Sequence, residues 1–148
     1  MLTNKGKYGL KALTHLAGLP LGKTAQSVEI AMANNIPKKF LDAILGELRV
    51  AGFVSTKKGK GGGYRLSREP AQISIGAAVR VLDGPLAPIG CASRRSYKPC
   101  ADCRDIRTCT VRLLMLQVRD ESARVLDNTS LADMCRKPAE LDSLTYEI

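Results

Sequence analysis

Along most of the chain the apolar residues return every third or fourth position, and in one short region they alternate instead. From Lys7 to Gly18, the positions Tyr8, Ala12, Leu13, Leu16 and Ala17 fall on one helical face, and Gly18 with Pro20 ends the pattern. A second, short helix is expected between Thr24 and Asn35. Thr24 or Ser27 can cap it, Val28, Ile30 and Ala31 are its apolar positions, and Asn34-Asn35 can supply a left-handed exit. Ile36-Pro37 opens a third, because proline suits the first helical position, and Phe40, Leu41, Ile44, Leu45 and Leu48 form its apolar face before Gly52. Lys38, Lys39, Asp42, Ala43 and Glu47 lie off that face. Two helices joined by a short turn, the second amphipathic, make a helix-turn-helix arrangement.

Phe53-Val54-Ser55-Thr56 then reads as a strand and Tyr64-Arg65-Leu66 as its return. Between them, Lys57 to Arg65 holds four positive side chains, one tyrosine and four glycines, a composition suited to a slim, basic hairpin tip. It is not a nucleotide loop: no Gly-x-x-x-x-Gly-Lys-Ser/Thr is present, and Tyr64 interrupts any Gly-x-Gly-x-x-Gly. Three helices followed by strand, tip and strand predict a winged helix-turn-helix. In that reading the second helix of the motif lies in the major groove, and Lys58 and Lys60 reach phosphates or the adjacent minor groove.

Beyond Pro70, Ser74 can cap a helix with the stripe Ile75, Ala78, Val79 and Leu82, stopped by Asp83-Gly84-Pro85. Leu86 to Thr108 has prolines, glycine and cysteines without periodicity and reads as a loop. From Cys109 to Leu126 a long helix follows. Its stripe of Val111, Leu114, Met115, Val118, Val125 and Leu126, with Leu113 and Leu116 beside it, is more apolar than one packing face requires, which points to a second copy of the chain. Asn128 to Ser130 open a short last helix with Leu131 and Met134, and a polar tail follows. The fold class is therefore mainly α with a small β-wing. It divides into a DNA-binding domain at 1–85, a cysteine loop at 86–108, a dimerisation helix with the short helix at 109–134, and a tail at 135–148.

Charge sharpens this picture. The net charge of +9 is uneven: residues 1 to 70 hold 12 Lys and Arg against 4 Asp and Glu, and the remainder hold 11 against 10. From Arg49 to Arg68 there are six basic residues and no acidic one, the footprint of a polyanionic partner. A membrane surface would call for a basic amphipathic helix or lipidation motif, and neither is present. With no run of 18 apolar residues and no secretory leader, the expected compartment is the cytoplasm. The single histidine, His15, reads as an ordinary helical residue.

Four motifs carry a family resemblance. Thr3 to Leu10, Gly61-Gly62-Gly63-Tyr64-Arg65-Leu66, Arg80-Val81-Leu82-Asp83-Gly84-Pro85 and Leu126 to Asp133 stand in the order in which the Rrf2 family of bacterial transcription regulators shows similar segments. The chain resembles that family from its start to about Met134. The resemblance implies a homodimer with a long dimerisation helix and a sensing loop between wing and dimer helix; the expected function is that of a regulator, a repressor, on double-stranded DNA. It also implies DNA contacts from Lys39, Asp42 and Ala43 on the recognition helix, from Lys58 and Lys60 in the wing, and from Lys5 and Tyr8 near the backbone; Lys38 and Arg65 stand beside them as further candidate DNA-binding residues. A carboxylate such as Asp42 can accept from a cytosine amino group, whereas lysines add phosphate affinity.

Cys91, Cys100, Cys103 and Cys109 fall within 19 residues, and in a reducing compartment such a cluster reads as metal or redox chemistry rather than as a disulfide framework. Cluster-binding members of the family carry three evenly spaced cysteines and then a histidine. Here Cys103 and Cys109 keep that spacing, Cys91 is further off, Cys100 is additional, and Arg112 stands in the histidine's place. Four thiolates can hold an iron-sulfur cluster, 2Fe-2S ahead of 4Fe-4S, or tetrahedral zinc. Without a cofactor, the arginines and lysine crowding the loop would favour thiolates and a thiol switch, as in a regulator of cysteine metabolism. Cys135 is isolated and reads as an ordinary thiol. An enzyme is not expected: a thiol oxidoreductase built on Cys100 and Cys103 would need a βαβ scaffold that the flanking sequence lacks. No small-molecule substrate is expected, and a purely structural adaptor sits poorly with the basic half.

Overall fold

The Thr3 hydroxyl starts the first helix by accepting from the Gly6 N–H at 3.2 Å, and the Thr3 N–H donates to Asp83 Oδ2 at 2.9 Å, so the same residue ties the chain's beginning to a helix end far along the sequence. A computed structural model describes residues 2–141. Its elements run α1 (Asn4–Ala17), α2 (Ser27–Asn34), α3 (Lys38–Val50), β1 (Val54–Lys57), β2 (Gly63–Leu66), α4 (Ile75–Asp83), α5 (Thr110–Asp127) and α6 (Leu131–Leu141). Strands β1 and β2 form one antiparallel pair in which Val54 faces Leu66 and Lys57 faces Gly63.

One aliphatic core joins these elements. Leu13 of α1, Ile30 of α2, Leu41, Leu45 and Leu48 of α3 and Val54 of β1 are almost fully buried together with Ile73 and Leu131. Each such side chain contributes roughly 1.5–3 kcal/mol by leaving water. A close seam runs between α1 and α4. A methyl group added at Gly9 would overlap a Leu82 methyl, and one at Gly6 would overlap the Asp83 carboxylate.

The chain returns to this core at its far end. Leu131 N–H donates to Ile73 O at 2.8 Å and Ile75 N–H to Thr129 O at 3.0 Å, which fastens the start of α6 beside the start of α4. The last helix is thus packed into the N-terminal core, with Leu131 fully buried.

Several expectations need correcting. Phe40 is not on the buried face: it is 62 % exposed. At about 100° per residue it sits on the shoulder of the stripe that Leu41, Ile44, Leu45 and Leu48 already fill. Neither Thr24 nor Ser27 caps α2. Gln26 does, in a reciprocal box with Glu29, whose Oε2 accepts from the Gln26 N–H at 2.6 Å. Asn35 does supply the left-handed exit, with φ 52°. Pro37 is the residue before α3 rather than its first turn. Finally, α6 runs on to Leu141 where a short helix and a tail from 135 were expected; the expected tail from 142 onward lies outside the described residues. Among the described residues no helix is long and apolar enough to cross a membrane.

Candidate functional site

The helix-turn-helix pair α2 and α3 leaves an exposed strip along α3. Lys38, Lys39, Asp42 and Ala43 are all exposed on it. Lys38 Nζ donates to Asp42 Oδ2 at 2.7 Å, and that bond holds the Asp42 carboxyl below its ordinary range. Free Asp42 is therefore not what a cytosine amino group would meet: it would compete with Lys38. Lys5 reaches across to Glu47 at 2.7 Å, so α1 braces the same helix. Tyr8 is half-buried and lines a hollow with Met32, Pro37 and Lys38.

Sequence reasoning missed part of this surface. Phe40, Met32 and Val28 are large apolar side chains left exposed on α3 and α2. Counting Phe40's angle against the buried stripe, rather than grouping every apolar residue together, would have found it.

The wing is a tight hairpin whose geometry demands glycine. Gly59 and Gly61 have φ of 94° and 74°, and a Cβ on Gly62 would collide with the Lys57 carbonyl. Lys58, Lys60 and Arg65 are exposed on it. Its base is fixed to the chain entering α2: Ala25 and Tyr64 exchange both backbone bonds, at 2.9 and 2.7 Å, and the Thr24 hydroxyl donates to Gly61 O at 2.8 Å. The tip is thus carried by the helix-turn-helix rather than left free.

The second site lies in the loop before α5. Cys91, Cys100, Cys103 and Cys109 all line one cavity of ≈ 410 Å³, together with Ile89, Val111 and Arg112. Cys91 is buried in a single 3-10 turn, Gly90–Ala92, and Cys109 caps α5, its sulfur accepting from the Arg112 N–H at 3.5 Å. The Cys100 and Cys91 sulfurs are 3.6 Å apart. Among the described residues no group of three or more His, Cys, Asp or Glu side chains stands close enough to hold a metal ion as placed.

For Cys100 the outcome is the opposite of the thiolate that the loop's basic residues suggested. Cys91, followed by burial and nearby acidic groups, pushes the Cys100 thiol up rather than down. Arg94 donates from Nε and Nη2 to Asp120 of α5 at 3.0 and 2.6 Å, Arg107 pairs with Asp105, and the Arg112 guanidinium binds loop carbonyls. Their charge is directed to carboxylates and backbone. Arg94, then Arg119, holds the Asp120 carboxyl far below the usual carboxylate range. Cys135 is not among the residues lining the cavity; it packs against the core on α6, and burial pushes its thiol up.

A glycine wing pinned to a helix-turn-helix, on a basic half of the chain, defines a winged helix-turn-helix regulator of transcription that binds DNA. The chain belongs to the Rrf2 family, described as iron-dependent transcriptional regulators, whose family model matches residues 2–137. It is 42 % identical over 137 residues to an rrf2-like helix-turn-helix regulator of Rhodobacter capsulatus, covering 90 % of this chain and 91 % of that one. Among solved structures it resembles CymR, the global cysteine regulator of B. subtilis, with TM-score 0.75 and 31 % identity over 93 % of this chain and 97 % of that one. It also resembles IscR of T. potens, with TM-score 0.74 and 28 % identity over 99 % and 93 % of the two chains.

Proposed function

We propose that the chain acts in the cytoplasm as a homodimeric repressor whose hold on DNA is set by the state of its cysteine cavity, and that it is not an enzyme. The observation that carries this reading is the convergence of four loop cysteines on one cavity packed against α5. In this proposal residues 1–85 bind DNA, 86–108 sense, and α5 with α6 carries the dimer contact and the return to the core.

For DNA, α3 enters the major groove. Lys38, Lys39, Asp42 and Ala43 face it, Phe40 offers an apolar surface to thymine methyl groups, and Lys5, Tyr8, Lys58, Lys60 and Arg65 hold the backbone or the neighbouring groove. The Lys38–Asp42 pair makes base reading by Asp42 conditional on Lys38 turning to a phosphate.

The donor set fits an iron-sulfur cluster held by Cys91, Cys100, Cys103 and Cys109. Two thiolates on one tetrahedral metal stand about 3.8 Å apart when each bond is about 2.3 Å. The 3.6 Å between Cys91 and Cys100 is close to that spacing, so these two thiolates, with Cys103 and Cys109, would hold the group, and a 2Fe-2S cluster is preferred to 4Fe-4S in this proposal. Zinc would suit the same pair. A bound cluster supplies a redox-sensitive centre; the chain's part is to fold the loop around it and to lean that loop on α5. The same 3.6 Å also favours a second reading, a cofactor-free switch in which Cys91 and Cys100 lose two protons and two electrons to a peroxide and form a disulfide.

Anaerobic purification with visible absorption and iron and sulfide analysis separates the two. Coloured protein with equal iron and sulfide is expected. Colourless, iron-free protein that keeps its DNA binding under reducing conditions would sink the cluster and leave the thiol switch.

A further inference from the structure

Arg112 stands in the first turn of α5, and its side chain makes two specific bonds. Nε donates to the Cys91 carbonyl at 2.9 Å, and Nη1 donates to the Ile106 carbonyl at 3.2 Å. Cys91 lies at the start of the cysteine loop and Ile106 near its end. One planar guanidinium therefore spans both limbs of the loop, which a single-point ammonium does not reproduce. Its own N–H meanwhile donates to the Cys109 sulfur in the first turn of α5.

Little else secures this loop. Between Ser93 and Thr108 the described backbone bonds are local or isolated: Ser96 to the Ser93 hydroxyl, Lys98 to Gly90, Cys103 to Cys100 and Arg107 to the Asp105 carboxylate. The Gly90–Ala92 turn packs against α5, and the polar links from loop to helix are those of Arg112 and of the exposed Arg94–Asp120 pair.

We propose that Arg112 is the positioning residue of the cysteine cavity: it clasps the two limbs of the loop, fixes the turn that carries Cys91, and couples loop order to the first turn of α5. This rests on the reading of the loop as the sensor, but the clasp itself holds with or without a metal. Rearrangement of the thiols moves Cys91 and strains these bonds, so the change arrives at α5 through its own first turn.

The test uses the full chain with Arg112→Ala and Arg112→Lys, first metal-free and reduced. Iodoacetamide labelling, followed residue by residue by peptide mass mapping, reads the exposure of each thiol. Cys91 is expected to react about tenfold faster in Arg112→Ala, since two bonds from a charged donor are lost, and Arg112→Lys to fall between. Cys135, packed on the core, is the internal control and keeps its rate. Unchanged Cys91 protection, or equal acceleration of Cys91 and Cys135, would overturn the clasp. In the anaerobically iron-loaded protein, Arg112→Ala is further expected to alter the visible circular dichroism and to release iron faster to a chelator; an unaltered spectrum and release rate count against positioning. If the wild type takes up no iron, the cluster reading falls while the labelling arm still decides the role of Arg112.

Discussion

Lys58 and Lys60 are exposed at a tip that three glycines shape. In the proposed function their contribution would be electrostatic, and each phosphate contact adds about 0.9 to the slope of log affinity against log salt. The double variant Lys58→Ala, Lys60→Ala is expected to weaken all duplexes alike and to lower that slope by up to about two. Fluorescence anisotropy across a salt series checks this; loss confined to one sequence would show that the wing reads bases or groove shape. The side chains on α3 carry the opposite burden. Lys39, Ala43 and Phe40 project from its exposed strip, and in the proposed function the choice of operator would fall to them. The sequence made the lysines legible because charge runs and glycines need no fold to be noticed. Phe40 was not legible, because a shoulder position on a helix looks apolar and buried until the neighbours that fill the core are known. Arg112 was visible only as a departure from a ligand pattern, since nothing in the sequence tells which carbonyls a guanidinium will meet.

At the scale of elements, α5 is held to the rest by charge as well as packing. Arg80 of α4 binds Asp127 of α5 through both carboxylate oxygens, at 2.5 and 2.9 Å, and this keeps the Asp127 carboxyl below its ordinary range. A lowered carboxyl pKa stabilises the fold fully above the unfolded value of about 3.9, and the contribution is lost as pH falls through the folded value. Because the pair is partly exposed, the gain is at most about 1 kcal/mol. Urea unfolding of Asp127→Asn beside the wild type should therefore show a small deficit at neutral pH that vanishes towards pH 2; an equal deficit at both would refute the linkage. Helical periodicity gave the existence of every helix, and alternation with glycines gave the hairpin. The ends moved by a residue or two where caps compete, as Gln26 with Glu29 did against Thr24 and Ser27. The tie of α6 to the core escaped because it is made by long-range bonds, Leu131 N–H to Ile73 O and Ile75 N–H to Thr129 O, which no local pattern records.

For the whole molecule, α5 raises the question of what covers it. Val111, Leu114, Val118 and Val125 are exposed on one stripe, and Ala123 is its only buried residue among those described. Beside the stripe, Leu2, Leu10, Leu86, Met115 and Leu126 line a further hollow of ≈ 450 Å³. A second copy of α5 fits this arrangement, as paired readers on half-sites require. Leu114→Glu with Val118→Glu is expected to sediment as a monomer at micromolar concentration with its helix content retained, whereas an unchanged dimer would place the contact elsewhere. In the proposed function the chain as a whole would couple a cavity of thiols to the spacing of two recognition helices. Binding to genomic DNA fragments, compared for iron-loaded, reduced metal-free and oxidised protein in one titration, tests that coupling most directly. The account predicts affinities that differ by about tenfold or more between states, roughly 1.4 kcal/mol of differential stability; the same affinity in all three would contradict it.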